Sequence, residues 1–120
     1  LNKIDPGEDY GWPVMQGDQT GEGFMPPVIH SGSDTWAPAG AAYLNGSVYF
    51  GGLRGQALYQ AVISGNTATL KTHLKGEFGR IRDVIVGPDK LLYITTSNRD
   101  GRGLPKSEDD KILRVNPNIL

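Results

Sequence analysis

Cysteine is absent from the 120 residues, which excludes a disulfide framework, a thiolate metal site and a cysteine nucleophile, and leaves the redox compartment open. Helical patterning is nearly absent as well, and no apolar run approaches the length of a membrane span. An excess of one charge is missing too: 12 Lys and Arg stand against 13 Asp and Glu, for a net charge of −1. Nothing in that balance attracts nucleic acid or an anionic membrane in general. The opening LNKIDPGEDYGWP has no initiating Met and does not read as a signal peptide. It has the density of a loop inside a domain, and the chain is expected to be part of something longer. What the sequence does hold is 17 Gly and 8 Pro beside 38% hydrophobic residues, the composition of many short strands and turns. The expected fold class is therefore all-β.

Residues 1–34 form a loop-rich opening. Asp5-Pro6-Gly7 is a turn signature, and Tyr10-Gly11-Trp12-Pro13 sets two aromatics around a glycine, where rings are expected to pack as a loop clamp. Residues 14–34 read as a long surface connection, a length that is usually functional or mobile. A strand-like pattern follows over 35–75. Small residues run from Ala37 to Ala42, with a regular ladder expected only after Pro38. Asn45-Gly46 signals a type I′ hairpin, and strands are predicted over 47–53, 56–63 and 67–74. Together these make a four-stranded antiparallel meander. The pattern then restarts over 76–120, with strands expected at 80–86, 91–96 and 111–115. That first-to-first spacing is on the order of the forty or so residues of a propeller blade, and the second blade lacks its fourth strand. Propellers commonly close by borrowing a strand from the far end of the chain.

The segment 78–103, FGRIRDVIVGPDKLLYITTSNRDGRG, carries charge where a plain hairpin has none. Alternation along a strand sends Arg80 and Arg82 out of one face, where two guanidinium groups want an anion. Pairing with a neighbouring carboxylate such as Asp83 is the structural alternative. The acidic run Glu108-Asp109-Asp110 lacks the alternation of a calcium loop and reads as a solvated turn.

Five motifs in order support a resemblance that covers essentially the whole chain: Asn2 with Pro6-Gly7 and Tyr10-Gly11-Trp12-Pro13; Thr35-Trp36-Ala37-Pro38; Gly52-Leu53-Arg54-Gly55; Gly79-Arg80-Ile81-Arg82-Asp83-Val84 with Gly87-Pro88-Asp89; and Asn98-Arg99-Asp100-Gly101-Arg102-Gly103. The chain resembles the C-terminal third of the soluble aldose sugar dehydrogenases, the glucose/sorbosone dehydrogenase family. Those are six-bladed β-propeller quinoproteins that use pyrroloquinoline quinone. The resemblance implies a β-propeller fragment of about two blades, from an enzyme that oxidises aldoses at the anomeric carbon to lactones.

It also implies site residues. Arg80 and Arg82 match an Arg-x-Arg pair that contacts the cofactor, with Ile81 between them. Arg54 matches a basic residue that holds and polarises the quinone, beside Gly52 and Leu53. The planar fork of arginine suits the three carboxylates of this cofactor. Thr35 matches a threonine whose hydroxyl reaches a cofactor carboxylate, with a hydroxyl bonding backbone at the strand start as the alternative. Tyr10 matches a carbonyl ligand of a structural calcium in some members. Arg54, Arg80 and Arg82 are expected to converge on one pocket at the inner end of adjacent blades. Neither His30 nor His73 matches the family's proton-abstracting histidine, so no catalytic residue is expected in this chain. The implied partners are the N-terminal blades, an aldose and an external electron acceptor, in a periplasmic or extracellular location. A non-catalytic propeller serving as a binding or scaffold module is the other open reading.

Overall fold

A computed structural model describes residues 1–120. It holds seven strands and one short 3-10 turn at Pro117–Ile119. Strands β1 (Pro38–Leu44), β2 (Ser47–Gly52), β3 (Ala57–Ser64) and β4 (Thr67–His73) form one antiparallel sheet in sequence order. Strands β5 (Ile81–Val86), β6 (Leu92–Thr96) and β7 (Ile112–Val115) form a second, also in order. The two meanders are those expected from the turn signals. Asn45 at φ 49 and Gly46 at φ 77 supply the pair of left-handed residues that a type I′ hairpin requires.

Chain reversals divide into two kinds. The β1–β2 and β3–β4 connections are two residues each, and β5–β6 turns within residues 87–91. The long β4–β5 and β6–β7 connections, residues 74–80 and 97–111, gather with the 53–56 turn between β2 and β3 at the opposite end of the sheets, because antiparallel neighbours alternate direction. That end also receives residues 35–37 leading into β1.

The sheets pack face to face. Leu58 and Tyr49 from the first sheet meet Ile81, Val84, Leu92 and Ile94 from the second, and all six are buried. Full burial of such side chains contributes on the order of 1.5–3 kcal/mol each. The sheets approach so closely at Gly51 that a Cβ there would lie 2.6 Å from the Ile81 carbonyl oxygen. The outer face of the first sheet carries a second cluster, in which Phe50 and Tyr59 stack and Trp36 packs tilted against both, with ring centroids 5.1–5.5 Å apart.

The regular β1 ladder runs from Ala41, after a single pair between Pro38 and Gly52 and a bulge, in keeping with the proline. Two local expectations are corrected. The fifth strand starts at Ile81, and Arg82 is an extra residue: Ile81 pairs with Thr96 while Asp83 pairs with Thr95. That bulge puts Ile81 and Val84, three apart, on the same buried face, which strict alternation forbids. Trp12 does not pack in a clamp, since it is 83% exposed. Gly11, at φ 83, turns the chain so that Met15 packs against the glycine, while Tyr10 does the clamping through its hydroxyl. That hydroxyl accepts from the Asp5 amide at 2.7 Å and donates to the Lys3 carbonyl at 2.8 Å.

Candidate functional site

The long connections build the site. The 53–56 turn is knitted to the lead-in of β1, with Leu53 N donating to Ala37 O and Gly55 N to Trp36 O, both at 3.0 Å. Gly52 and Gly55 lie against the Tyr59 ring, where a Cβ on either would collide with it. This leaves Arg54 exposed at the tip of the turn, with no carboxylate within ion-pair distance. Across from it, the 78–80 segment is held by Asn98. The Asn98 amide donates from Nδ2 to Phe78 O at 2.9 Å, and its Oδ1 accepts from Arg80 N at 2.8 Å. Gly79, at φ 74, lets the backbone come that near, because a Cβ would strike the Asn98 amide.

Arg80 is almost fully buried. Its Nε donates to Ser97 O at 3.2 Å, its Nη1 to Leu53 O at 3.3 Å, and its Nη2 to Asp100 Oδ2 at 2.8 Å. Arg82 Nη2 donates to the same Asp100 oxygen at 2.8 Å and to Ser97 Oγ at 3.2 Å. The pair therefore converges, as expected, but on a carboxylate of its own chain. That carboxylate is Asp100, 18 residues beyond Arg82, while Asp83 instead caps the Val84 amide. Asp100 Oδ1 accepts from Arg102 N at 3.0 Å. The hydrogen bond from Arg80, then that from the Arg102 amide and the charges of Arg80 and Arg82, hold the Asp100 carboxyl below its ordinary pKa against the opposing effect of burial.

An open cleft of about 610 Å³ lies between these segments, lined by Ala37, Leu53, Arg54, Gln56, Arg80 and Arg102. Arg54 and Arg80 meet there, Leu53 contributes beside them, and Arg102 joins them. Arg82 shares Asp100 Oδ2 with Arg80 but does not line the cleft. A second hollow of about 420 Å³ shares Gln56, Arg80 and Arg102 and extends towards Asn98, Lys106 and Lys111. Sequence reasoning missed Asp100 and Arg102 as functional residues, although both lie in the quoted Asn98-to-Gly103 motif. Of the remaining expected site residues, Ile81 gives its side chain entirely to the core, at 0% exposure. Thr35 is exposed three residues before β1, and its hydroxyl makes no hydrogen bond within the chain. Gly52 is buried at the end of β2.

The sequence matches the glucose/sorbosone dehydrogenase family over residues 1–114. The chain belongs to that family. Among solved structures it is similar to the aldose sugar dehydrogenase from Streptomyces coelicolor in its PQQ-bound form, at 43% identity and a TM-score of 0.89, covering 96% of this chain and 35% of that one. It is also similar to a putative oxidoreductase (glucose dehydrogenase) from Thermus thermophilus, at 42% identity and a TM-score of 0.86, over 95% and 35% of the two chains. The soluble aldose sugar dehydrogenase from Escherichia coli, in its apo form, shares the fold at 24% identity and a TM-score of 0.74, over 97% and 37%. No curated protein sequence matches. The chain spans about a third of the length of the structures it matches. Its two antiparallel sheets are part of a β-propeller fold of that family, and the cleft lies at the end where the long loops gather.

The acidic run resolves into separate duties. Asp110 Oδ1 accepts from Asn98 N at 2.6 Å, Asp109 Oδ2 accepts from Lys106 N at 2.8 Å, and Glu108 pairs with Lys111. Neither histidine lines the cleft. His30 Nδ1 accepts from Gly32 N, and His73 Nε2 lies 3.0 Å from Gln60 Oε1 on the outer strands.

Proposed function

We propose that these residues are part of a quinone cradle in an enzyme that oxidises aldoses at the anomeric carbon to lactones. The observation that carries this reading is the cleft lined by three arginines, Arg54, Arg80 and Arg102, and by no carboxylate, with Asp100 paired to Arg80 beside it. Arg54 and Arg102 have no internal counter-ion, so the cleft keeps an excess of positive charge suited to a polyanion. Pyrroloquinoline quinone, a planar tricarboxylate, fits that donor set, and when bound it supplies the hydride acceptor. Arg80 is oriented by Leu53 O, Ser97 O and Asp100, and offers its remaining Nη1 and Nη2 hydrogens without reorganising. Arg54 presents an exposed, unpaired cation from the opposite wall. Arg82 adds charge beside Arg80 through the shared Asp100 oxygen, and Thr35 keeps a free hydroxyl at the same end of the sheet.

The proton-abstracting base, on this reading, comes from outside these 120 residues, because His73 is engaged with Gln60 and His30 lies away from the cleft. The remaining blades of the propeller, an aldose and an external electron acceptor complete the system, and a periplasmic or extracellular location goes with it. For calcium, the Tyr10 carbonyl takes part in none of the loop's backbone hydrogen bonds and is free to act as a neutral ligand. No three His, Asp or Glu side chains gather anywhere in the chain, however, so these residues do not form a calcium shell by themselves.

One observation favours the scaffold reading: Asp100 already satisfies part of the Arg80 and Arg82 pair without any ligand. Titration of the full-length protein with pyrroloquinoline quinone, followed by dye reduction with an aldose, separates the two. Saturable binding and sugar-dependent reduction support the enzyme, whereas a protein that binds no quinone is a scaffold.

A further inference from the structure

Arg82 is the less firmly anchored member of the Arg80 and Arg82 pair. Its side chain is 45% exposed, and an exposed arginine ordinarily spreads over many rotamers. Its only partners are Asp100 Oδ2 and Ser97 Oγ. Arg80 differs, because Leu53 O and Ser97 O hold it independently of Asp100 and its side chain is 9% exposed. Asp100 is itself fixed, with Arg80 on one oxygen and the Arg102 amide on the other. It also engages only one nitrogen of Arg82, so Nε and Nη1 keep their hydrogens for another acceptor.

Resting on the quinone-cradle reading, we propose that Asp100 is a positioning residue that fixes Arg82 in the orientation in which it contributes to binding the cofactor's carboxylates. The competing role for Asp100 is a plain counter-charge that an incoming anion has to overcome. The two roles predict opposite coupling between Asp100 and Arg82. A positioning residue makes Arg82 worth less when it is removed, since Arg82 then has to be ordered by the ligand. A counter-charge makes Arg82 worth more when it is removed, since the guanidinium is released from its partner.

The test is a double-mutant cycle in the full-length polypeptide, with pyrroloquinoline quinone as the titrated probe. Arg82→Ala is expected to raise Kd about tenfold in the natural background, the scale of one charge-assisted hydrogen bond, and less than about twofold in an Asp100→Ala background. Asp100→Asn keeps an oxygen acceptor of the same reach and is expected to restore most of the tenfold effect. An Arg82→Ala effect that stays at tenfold or grows when Asp100 is replaced overturns the proposal.

A second readout needs no quinone. The heteronuclear NOE of the Arg82 side-chain Nε–H is expected to report an ordered group in the natural protein and a mobile one in Asp100→Ala. Arg82 equally ordered in both refutes the positioning role. If the natural protein binds no quinone, the cradle reading fails on that result alone, while the NOE comparison still decides whether Asp100 orders Arg82.

Discussion

Replacing Asn98 with alanine tests whether the cradle is held from behind by a single amide. Asn98 is 5% exposed, and its two side-chain hydrogen bonds, to Arg80 N and Phe78 O, tie the β6–β7 loop to the backbone of the segment that presents Arg80, beside the Ser97 N to Arg80 O bond. The bond from its own backbone N to Asp110 survives the substitution. Leaving a buried donor or acceptor unpaired costs about 1–3 kcal/mol each. The hollow that reaches Asn98 admits water to the space the amide leaves, which moves the figure to the low end, about 2 kcal/mol for both bonds together. In the full-length protein the loss is measured from the urea midpoint at constant m. The local part is read from hydrogen exchange at the Arg80 amide, which is expected to speed up by roughly tenfold or more. A stability change below about 0.5 kcal/mol, the level of an ordinary surface substitution, together with an unchanged Arg80 amide, refutes the reasoning.

Three further outcomes are expected. Gly51→Ala forces a Cβ to within 2.6 Å of the Ile81 carbonyl, so it should cost about 1–3 kcal/mol by prising the sheets apart; an unchanged thermal midpoint contradicts the packing. Burial and then Lys71 lower the His73 pKa from its ordinary 6.5, so protonation favours the unfolded chain. Stability from this group is complete above about pH 6.5 and falls as pH drops below it, and His73→Gln should flatten that part of a midpoint-against-pH curve. Asp100 and Asp109, both lowered from 3.8, act in a separate window below that value. Arg102→Ala is expected to weaken quinone binding about tenfold with little change in stability, because its side chain makes no internal ion pair; equal affinity by titration removes it from the cradle.

What could be read in the sequence was what is local. Asn45-Gly46 and Gly87-Pro88-Asp89-Lys90 fix their turns by their own φ preferences, and alternating residues between them fix the strands. The site was half legible for the same reason. Arg54, Arg80 and Arg82 stand in motifs, but their geometry depends on contacts that composition does not encode. A one-residue bulge at Arg82 changes which side chains share a face, and period-2 reasoning has no means of seeing it. Asp100 reaches the arginine pair across 18 and 20 residues, so in the sequence it reads as part of a polar loop. Ile81, flanked by two functional arginines, groups with them by motif, although its side chain belongs to the core.

The gathering of all long loops at one end also sets the order in which the protein is completed during synthesis. Each strand pairs with its neighbour in the chain, so the first sheet can form as soon as residue 73 has left the ribosome. The cradle cannot, because Arg80 waits for Ser97, Asn98 and Asp100. A nascent chain halted so that β1–β4 have emerged while residues 97–100 are still inside the ribosome should therefore show protected β1–β4 amides beside an unprotected Arg80. The first sheet would have matured while the binding function had not yet begun.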